Sequence, residues 1–181
     1  MQKIVSLFQR NYDGDRLVRD EVVPGAEWVI AGEGWPTEKV DGTACMVRND
    51  RLYKRYDRKG GRAPDGWEAA EEAPNEHTGH WPGWVPVGDG PEDQWHRMAF
   101  GYATTDGTYE LVGPKVQGNP YQLDHHELWR HGARLIKDDP RTFDAIRDYL
   151  TAWPIEGIVW HHADGYMVKI KARDFGIQWP R

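Results

Sequence analysis

Cysteine is nearly absent from this chain, and long apolar runs, a signal-like leader and a phosphate-binding glycine loop are missing altogether. The one cysteine, Cys45, excludes an intramolecular disulfide and a cysteine-rich zinc site, and its apolar neighbours make it an expected small buried hydrophobe. No run approaches the ~20 apolar residues that span a bilayer, so no membrane partner is expected. Residues 1–10 lack the apolar core of a signal peptide, and the expected location is cytoplasmic. The missing G-x-x-x-x-G-K-[ST] string removes the P-loop route to phosphate binding. Positive charge is the minority sign: the formal net charge is −6, which argues against a surface that binds nucleic acid indiscriminately.

What is present is aromatic and sign-segregated. Ten Trp and eight Tyr stand against four Phe. Trp and Tyr join a large apolar body to a polar handle, which suits half-buried strands, clefts and stacking surfaces; most of them are expected to serve packing. Acids gather at Glu68, Glu71, Glu72 and Glu76, while bases gather over Arg51 to Arg62 and Lys169 to Arg173. Such segregation leaves room for a local cationic site on an acidic protein.

The 181 residues suffice for one domain with a substantial core. Trp35 to Asp57 reads as short strands, with a hairpin turn at Asn49-Asp50. Residues 60–91, rich in Pro and Gly, read as a long surface loop with a helical turn near Trp67 to Glu72. Asp93 to Ala103 reads as a short helix, and Thr108 to Val112 as a strand followed by turns. Asp139-Pro140 reads as a helix start, with Asp139 as N-cap. Phe143, Ile146, Leu150 and Trp153 form the apolar stripe of that helix, and Pro154 closes it. Ile155 to Trp160 and Tyr166 to Ile170 read as a second hairpin. The expected class is α+β with mostly antiparallel sheets.

Four segments carry chemistry. Lys39-Val40-Asp41-Gly42 is a K-x-D-G string; Glu110 lies in a later strand; Glu156-Gly157-Ile158-Val159 is an E-G-x-V string; Lys169-Ile170-Lys171 is K-x-K. A lysine that attacks a phosphoryl group must be neutral, and an unperturbed lysine, with a pKa near ~10.4, is almost fully protonated at neutral pH. Lys169 and Lys171 near Lys39 would favour its neutral form and stabilise charge on the phosphate under attack. Asp41 and Glu156 would orient the lysine or hold a hard divalent cation, and Gly42 would allow a tight turn. Each piece alone has a plainer reading: a D-G turn at a strand end, a solvated strand face, a strand-entry glutamate. The order and spacing of all four favour the chemical one.

In that order the segments resemble the covalent nucleotidyltransferases. Lys39 to Cys45, Arg55 to Lys59, Tyr109 to Pro120 and Lys169 to Phe175 resemble the small ATP-dependent RNA ligases in particular, a branch with vertebrate, bacterial and phage members. The resemblance runs from Trp35 to Arg181 and leaves residues 60–91 unmatched. It implies the adenylyltransferase fold of ligases (ATP-grasp-like) in a single domain over 1–181, and ATP-dependent joining of RNA 5′-phosphate and 3′-hydroxyl ends, an RNA-repair chemistry, with Mg²⁺ or Mn²⁺. It also implies residue roles. Lys39 would carry AMP; Lys169 and Lys171 would contact the α-phosphate. Asp41, Gly42, Arg55 and Glu110 would contact the nucleotide, Glu110 at the ribose. Glu156 would associate with metal, and Trp129 would stack on adenine. Only ten residues follow Lys171, so no C-terminal OB-fold is expected.

Two other readings stay open: a DNA-nick ligase or an adenylyltransferase with another acceptor, and a non-catalytic Trp-rich β module that binds by stacking. His77-x-x-His80, His125-His126 and His161-His162 lack the further ligands of a tetrahedral site and read as loop or surface histidines. His161 and His162 stand near the E-G and K-x-K strands, where contact with nucleotide or RNA is conceivable.

Overall fold

A computed structural model of the chain describes residues 4–76, 78–101 and 105–180. They fall into two compact units: a split unit made of residues 4–40 and 132–180, and a continuous unit, Asp41–His131, that interrupts it in sequence. The class is α+β, with mostly antiparallel strands and few helices. No helix among the described residues is long and apolar enough to cross a membrane.

The split unit opens with β1 (Val5–Ser6), β2 (Phe8–Arg10), β3 (Val18–Val22), the short α1 (Glu27–Ile30) and β4 (Trp35–Lys39). The continuous unit follows with β5 (Thr43–Arg48), β6 (Arg51–Lys59), β7 (Glu68–Ala69), β8 (His80–Pro86), α2 (Gln94–Phe100), β9 (Gly107–Val112) and β10 (Glu127–Arg130). The chain then returns to the split unit for α3 (Phe143–Ala152), β11 (Gly157–His161) and β12 (Met167–Lys171).

In the split unit β1-β12-β11-β4 form one sheet, antiparallel except for the parallel pair β1 and β12. Period-2 alternation assigns its faces. Ile158, Trp160, Val168 and Ile170 are buried against Leu7, Phe8 and the α3 residues Ile146 and Leu150. The opposite face carries polar side chains, among them Lys39, Lys169 and Lys171. The α3 stripe is as expected at Ile146 and Leu150, whereas Trp153 is 53% exposed. Its cap is Thr142, whose Oγ accepts from the Ala145 N–H at 3.3 Å. Asp139 does not cap the helix; it adopts a left-handed φ of 42° and its carboxylate pairs with Arg141.

The continuous unit holds a six-stranded sheet in the order β10-β9-β5-β6-β8-β7, every pair antiparallel. Asn49 and Asp50 both take left-handed φ, 52° and 56°, as a two-residue turn matched to strand twist requires. Cys45, Val47, Leu52, Tyr109 and Leu111 bury one sheet face with α2, whose Ala99 joins them. Burial pushes the Cys45 thiol well up, and the charge of Glu110 adds to this; it is an inert core residue.

Residues 60–91 are not loop throughout. His80–Pro86 is a strand paired to β6 along its whole length, with Trp84 buried, and Trp67 to Glu72 forms no helical turn but leads into the two-residue β7. Pro82 and Pro86 are compatible with a strand because of where they point. The Pro82 carbonyl accepts from the Ala70 N–H on the β7 side, so its missing donor faces that side too. Pro86 shares this parity, and β7 pairs only with Gly83 and Trp84. Pro86 therefore removes no ladder bond, and Pro82 leaves unmade only the return bond to Ala70, just past the end of β7.

Candidate nucleotidyl-transfer site

Register brings the lysines of the split unit together. Gly157 on β11 faces Lys39 on β4 and Lys171 on β12, so the three residues form one row across adjacent strands. The next row is Thr37, Val159, Lys169 and Ser6. Residues directly opposite one another share a face, and Lys169 shares a face with Lys171 by alternation. Gly157 is required here. A Cβ on it would stand 2.1 Å from the Ile170 carbonyl oxygen and 2.9 Å from the Lys171 Cα, so only glycine lets β12 approach β11.

Glu156, the residue before that glycine, bridges the row. Its Oε2 accepts from Lys39 Nζ and its Oε1 from Lys171 Nζ, each at 2.6 Å. Its side chain is 7% exposed, and paired, buried charges of this geometry form strong charge-assisted bonds. Lys169 makes no ion pair with a described carboxylate. Burial, followed by the positive charges of Lys171 and Lys39, pushes its pKa down to about 8. Opposite it the Ser6 hydroxyl is buried without a hydrogen-bond partner among the described residues. Behind the row, the Lys171 N–H donates to Asp174 Oδ2 at 2.9 Å, and Arg10 on β2 pairs with the same carboxylate. Asp174 therefore anchors the strand that carries both K-x-K lysines.

The other residues singled out in the sequence belong to the continuous unit. Trp129 faces Glu110, and Glu110 faces Ala44. Ala44 and Arg55 are the next residues beyond the pair Cys45 and Lys54, and Arg55 faces Trp84. Trp129, Glu110, Ala44, Arg55 and Trp84 thus share one row on the face opposite α2, with the small Ala44 at its middle. Arg55 pairs with Asp57 at 2.8 Å and lies over the Trp84 ring. Glu110 Oε2 is buried without a hydrogen-bond partner among the described residues. Trp129 donates to Glu127 at 2.7 Å and contacts the Tyr121 ring at 4.7 Å. The Tyr121 hydroxyl in turn accepts from the Asp41 N–H at 2.7 Å. Gly42 has a steric reason to be glycine: its Cβ would stand 2.3 Å from the Leu111 carbonyl oxygen.

The structure thus gathers Lys39, Glu156, Lys169 and Lys171 on one face of the split unit, and Arg55, Glu110 and Trp129 on one face of the continuous unit. Ser6, Tyr121 and His131 join these surroundings without a motif to announce them; Asp174 lies in the segment after K-x-K, but its partner Arg10 is 164 positions away. The histidine doublets have separate partners. His161 bonds Thr37 at 2.8 Å, His162 approaches Glu33 at 3.0 Å, His125 approaches Glu127 at 3.0 Å, and His126 stacks on Trp95. His77 lies outside the described residues. No group of three metal-ligating side chains occurs among the described residues. Glu156 nonetheless offers a hard carboxylate, and Mg²⁺ is commonly held by one or two carboxylates together with substrate phosphates.

Comparison with known proteins points the same way. Residues 102–181 match the family model described as RNA ligase 1. RNA ligase 1 of Danio rerio is 31% identical to the chain, in an alignment covering 80% of this chain and 68% of the fish protein. RNA ligase 1 of Mus musculus is 29% identical over 80% of this chain and 67% of its own length. The Pongo abelii protein of the same name is also 29% identical, over 80% and 68%.

Proposed function

The chain belongs to the RNA ligase 1 family, and we propose that it joins RNA 5′-phosphate and 3′-hydroxyl ends at the expense of ATP, through AMP carried on Lys39. The observation that carries this reading is the row Lys39–Gly157–Lys171 bridged by Glu156, with Lys169, which has no ion pair among the described residues, beside it.

Three lysines against one glutamate leave an excess of positive charge on a half-buried sheet face. A phosphate chain is the anion that such a face suits. In the first step Lys39 Nζ, having lost a proton, attacks the α-phosphorus of ATP. A phosphorus–nitrogen bond forms, the bond from the α-phosphorus to its bridging oxygen breaks, and pyrophosphate leaves. Glu156 holds Lys39 at a fixed position, which limits the motion the nucleophile must lose. Lys169 and Lys171 lie on the same face and would stabilise charge gathering on the α-phosphate. In the second step an oxygen of the RNA 5′-phosphate displaces Lys39 from phosphorus and takes the AMP. In the third, the 3′-hydroxyl attacks the 5′-phosphate, a phosphodiester forms and AMP departs. Glu156 would hold Mg²⁺ together with the phosphates of ATP, and the ion would supply further charge neutralisation there. Glu110 would accept from the ribose, an assignment its partnerless Oε2 supports, and Trp129 and Arg55 would line the same nucleotide face.

The test is the mass of the intact protein after incubation with ATP and Mg²⁺. We expect an added AMP that is absent from Lys39→Ala, and sealing of a nicked RNA only by the native protein. A native protein that acquires no AMP would overturn the reading.

A further inference from the structure

His131 extends the chain beyond β10 and donates its backbone N–H to Thr108, which places its ring beside Glu110 on the same sheet face. Its Nε2 stands 3.8 Å from Glu110 Oε1, too far for a direct hydrogen bond. Both groups are mostly buried, with side chains 23% and 13% exposed. Each also has a buried polar atom without a partner among the described residues, Nδ1 on His131 and Oε2 on Glu110. A buried carboxylate oxygen without a partner is rare in folded proteins and calls for a donor, while the orphaned Nδ1 bears on the tautomer of the ring. Because Nδ1 meets no acceptor, the ring proton of a neutral His131 belongs on Nε2, towards Glu110.

A donor and an acceptor 3.8 Å apart can both reach one oxygen placed between them, since hydroxyl hydrogen bonds run to about 2.8 Å each. That oxygen must accept from an N–H and donate to a carboxylate, which a hydroxyl does and an ether or a methylene does not. We propose that His131 and Glu110 clamp a single ribose hydroxyl of the bound nucleotide, and that His131 is a specificity-determining residue for ribonucleotides over their deoxy analogues. The inference rests on the nucleotide reading of the Glu110 face, and what it adds is the part played by His131. A site built to bond a hydroxyl rejects the analogue that lacks it, because its own polar groups are then left buried and unmet.

The test compares ATP with 2′-deoxy-ATP and 3′-deoxy-ATP in the native protein, His131→Phe, His131→Leu and His131→Gln. Affinity is read by calorimetry and the rate of AMP addition by intact mass, and each ratio is taken within one folded variant, so a general loss of activity cancels. We expect the native protein to prefer ATP over one of the deoxy analogues by roughly tenfold or more, and this ratio to fall to within about twofold in His131→Phe and His131→Leu. His131→Gln, which keeps an N–H donor, should retain most of the preference. A native protein indifferent to both deoxy analogues, or apolar variants that keep the native ratio, would overturn the clamp. Discriminating binding without any AMP addition would sink the ligase reading and leave the clamp standing, while a native protein that binds no nucleotide overturns both.

Discussion

The two sheets that carry the candidate residues are charged on different principles. In the continuous unit, cations meet anions nearly one to one: Lys54 with Asp93, Arg48 with Glu68 and Arg55 with Asp57. In the split unit, Lys39, Lys169 and Lys171 share the single Glu156, and the pKa of Lys169 is pushed down by burial beside its fellow cations. One-to-one pairing is what stability alone would select, since a buried charge without a partner is costly. An excess of one sign, kept at that cost, is the pattern expected of a face that receives an anionic ligand.

The largest disruption of this contrast should come from Gly157→Ala. The added Cβ meets backbone rather than a yielding side chain, so we expect a loss of more than ~4 kcal/mol of stability, seen in thermal unfolding, together with loss of AMP addition. Glu156→Gln comes next. Removing the shared anion leaves two ammonium groups facing a neutral amide, at a cost of about 3 kcal/mol, and AMP addition should fall at least tenfold. Asp93→Asn breaks a buried pair of the other kind, with Lys54. It should cost about 2–3 kcal/mol yet leave AMP addition in the folded protein close to native. Equal chemical damage from both substitutions would erase the distinction drawn between the sheets.

The smallest effect is one of pH. The folded-state pKa of Lys169, about 8, lies below its ordinary value of 10.5. Between these values the unfolded chain holds the proton that the folded chain has released, so this residue favours folding increasingly as pH rises through that window. Below about pH 8 its burial as an ammonium is a penalty. Lys169→Met should therefore be more stable than the native protein near neutrality, by about 1–2 kcal/mol, and the gap should close as pH rises towards about 10. Denaturant unfolding at several pH values measures it. A gap independent of pH would show that the methionine acts by packing alone.

How much of this was written locally in the chain varies with distance along it. That Lys39, Glu156, Lys169 and Lys171 could meet was suggested by a motif order spanning the chain, and strand register brings them together; the Asn49-Asp50 turn and the Ile146–Leu150 stripe were legible because turn chemistry and helical periodicity are short-range. β8 was hidden by prolines whose harmlessness depends on which side of the strand lacks a neighbour. The α3 cap was misplaced because Asp139 has an ionic partner in Arg141 that competes for its carboxylate. Ser6 and His131 carried no local signal at all, for each acquires meaning only from a strand or side chain that the fold brings beside it; Asp174 lay in the segment after K-x-K, but its pairing with Arg10 depends on the fold.

The insertion of the continuous unit into the split one also sets an order of events at the ribosome. Lys39 emerges early, but β11, the strand that pairs with it, and β12 beyond β11 follow only after the whole of residues 41–131 has been made. Until then Lys39 lacks the strand it pairs with, and a chain halted before Glu156 lacks the carboxylate that bridges Lys39 and Lys171. Pairing over such a separation is slow to form. Assembly of the Lys39–Gly157–Lys171 row is therefore among the last pairings the chain can make.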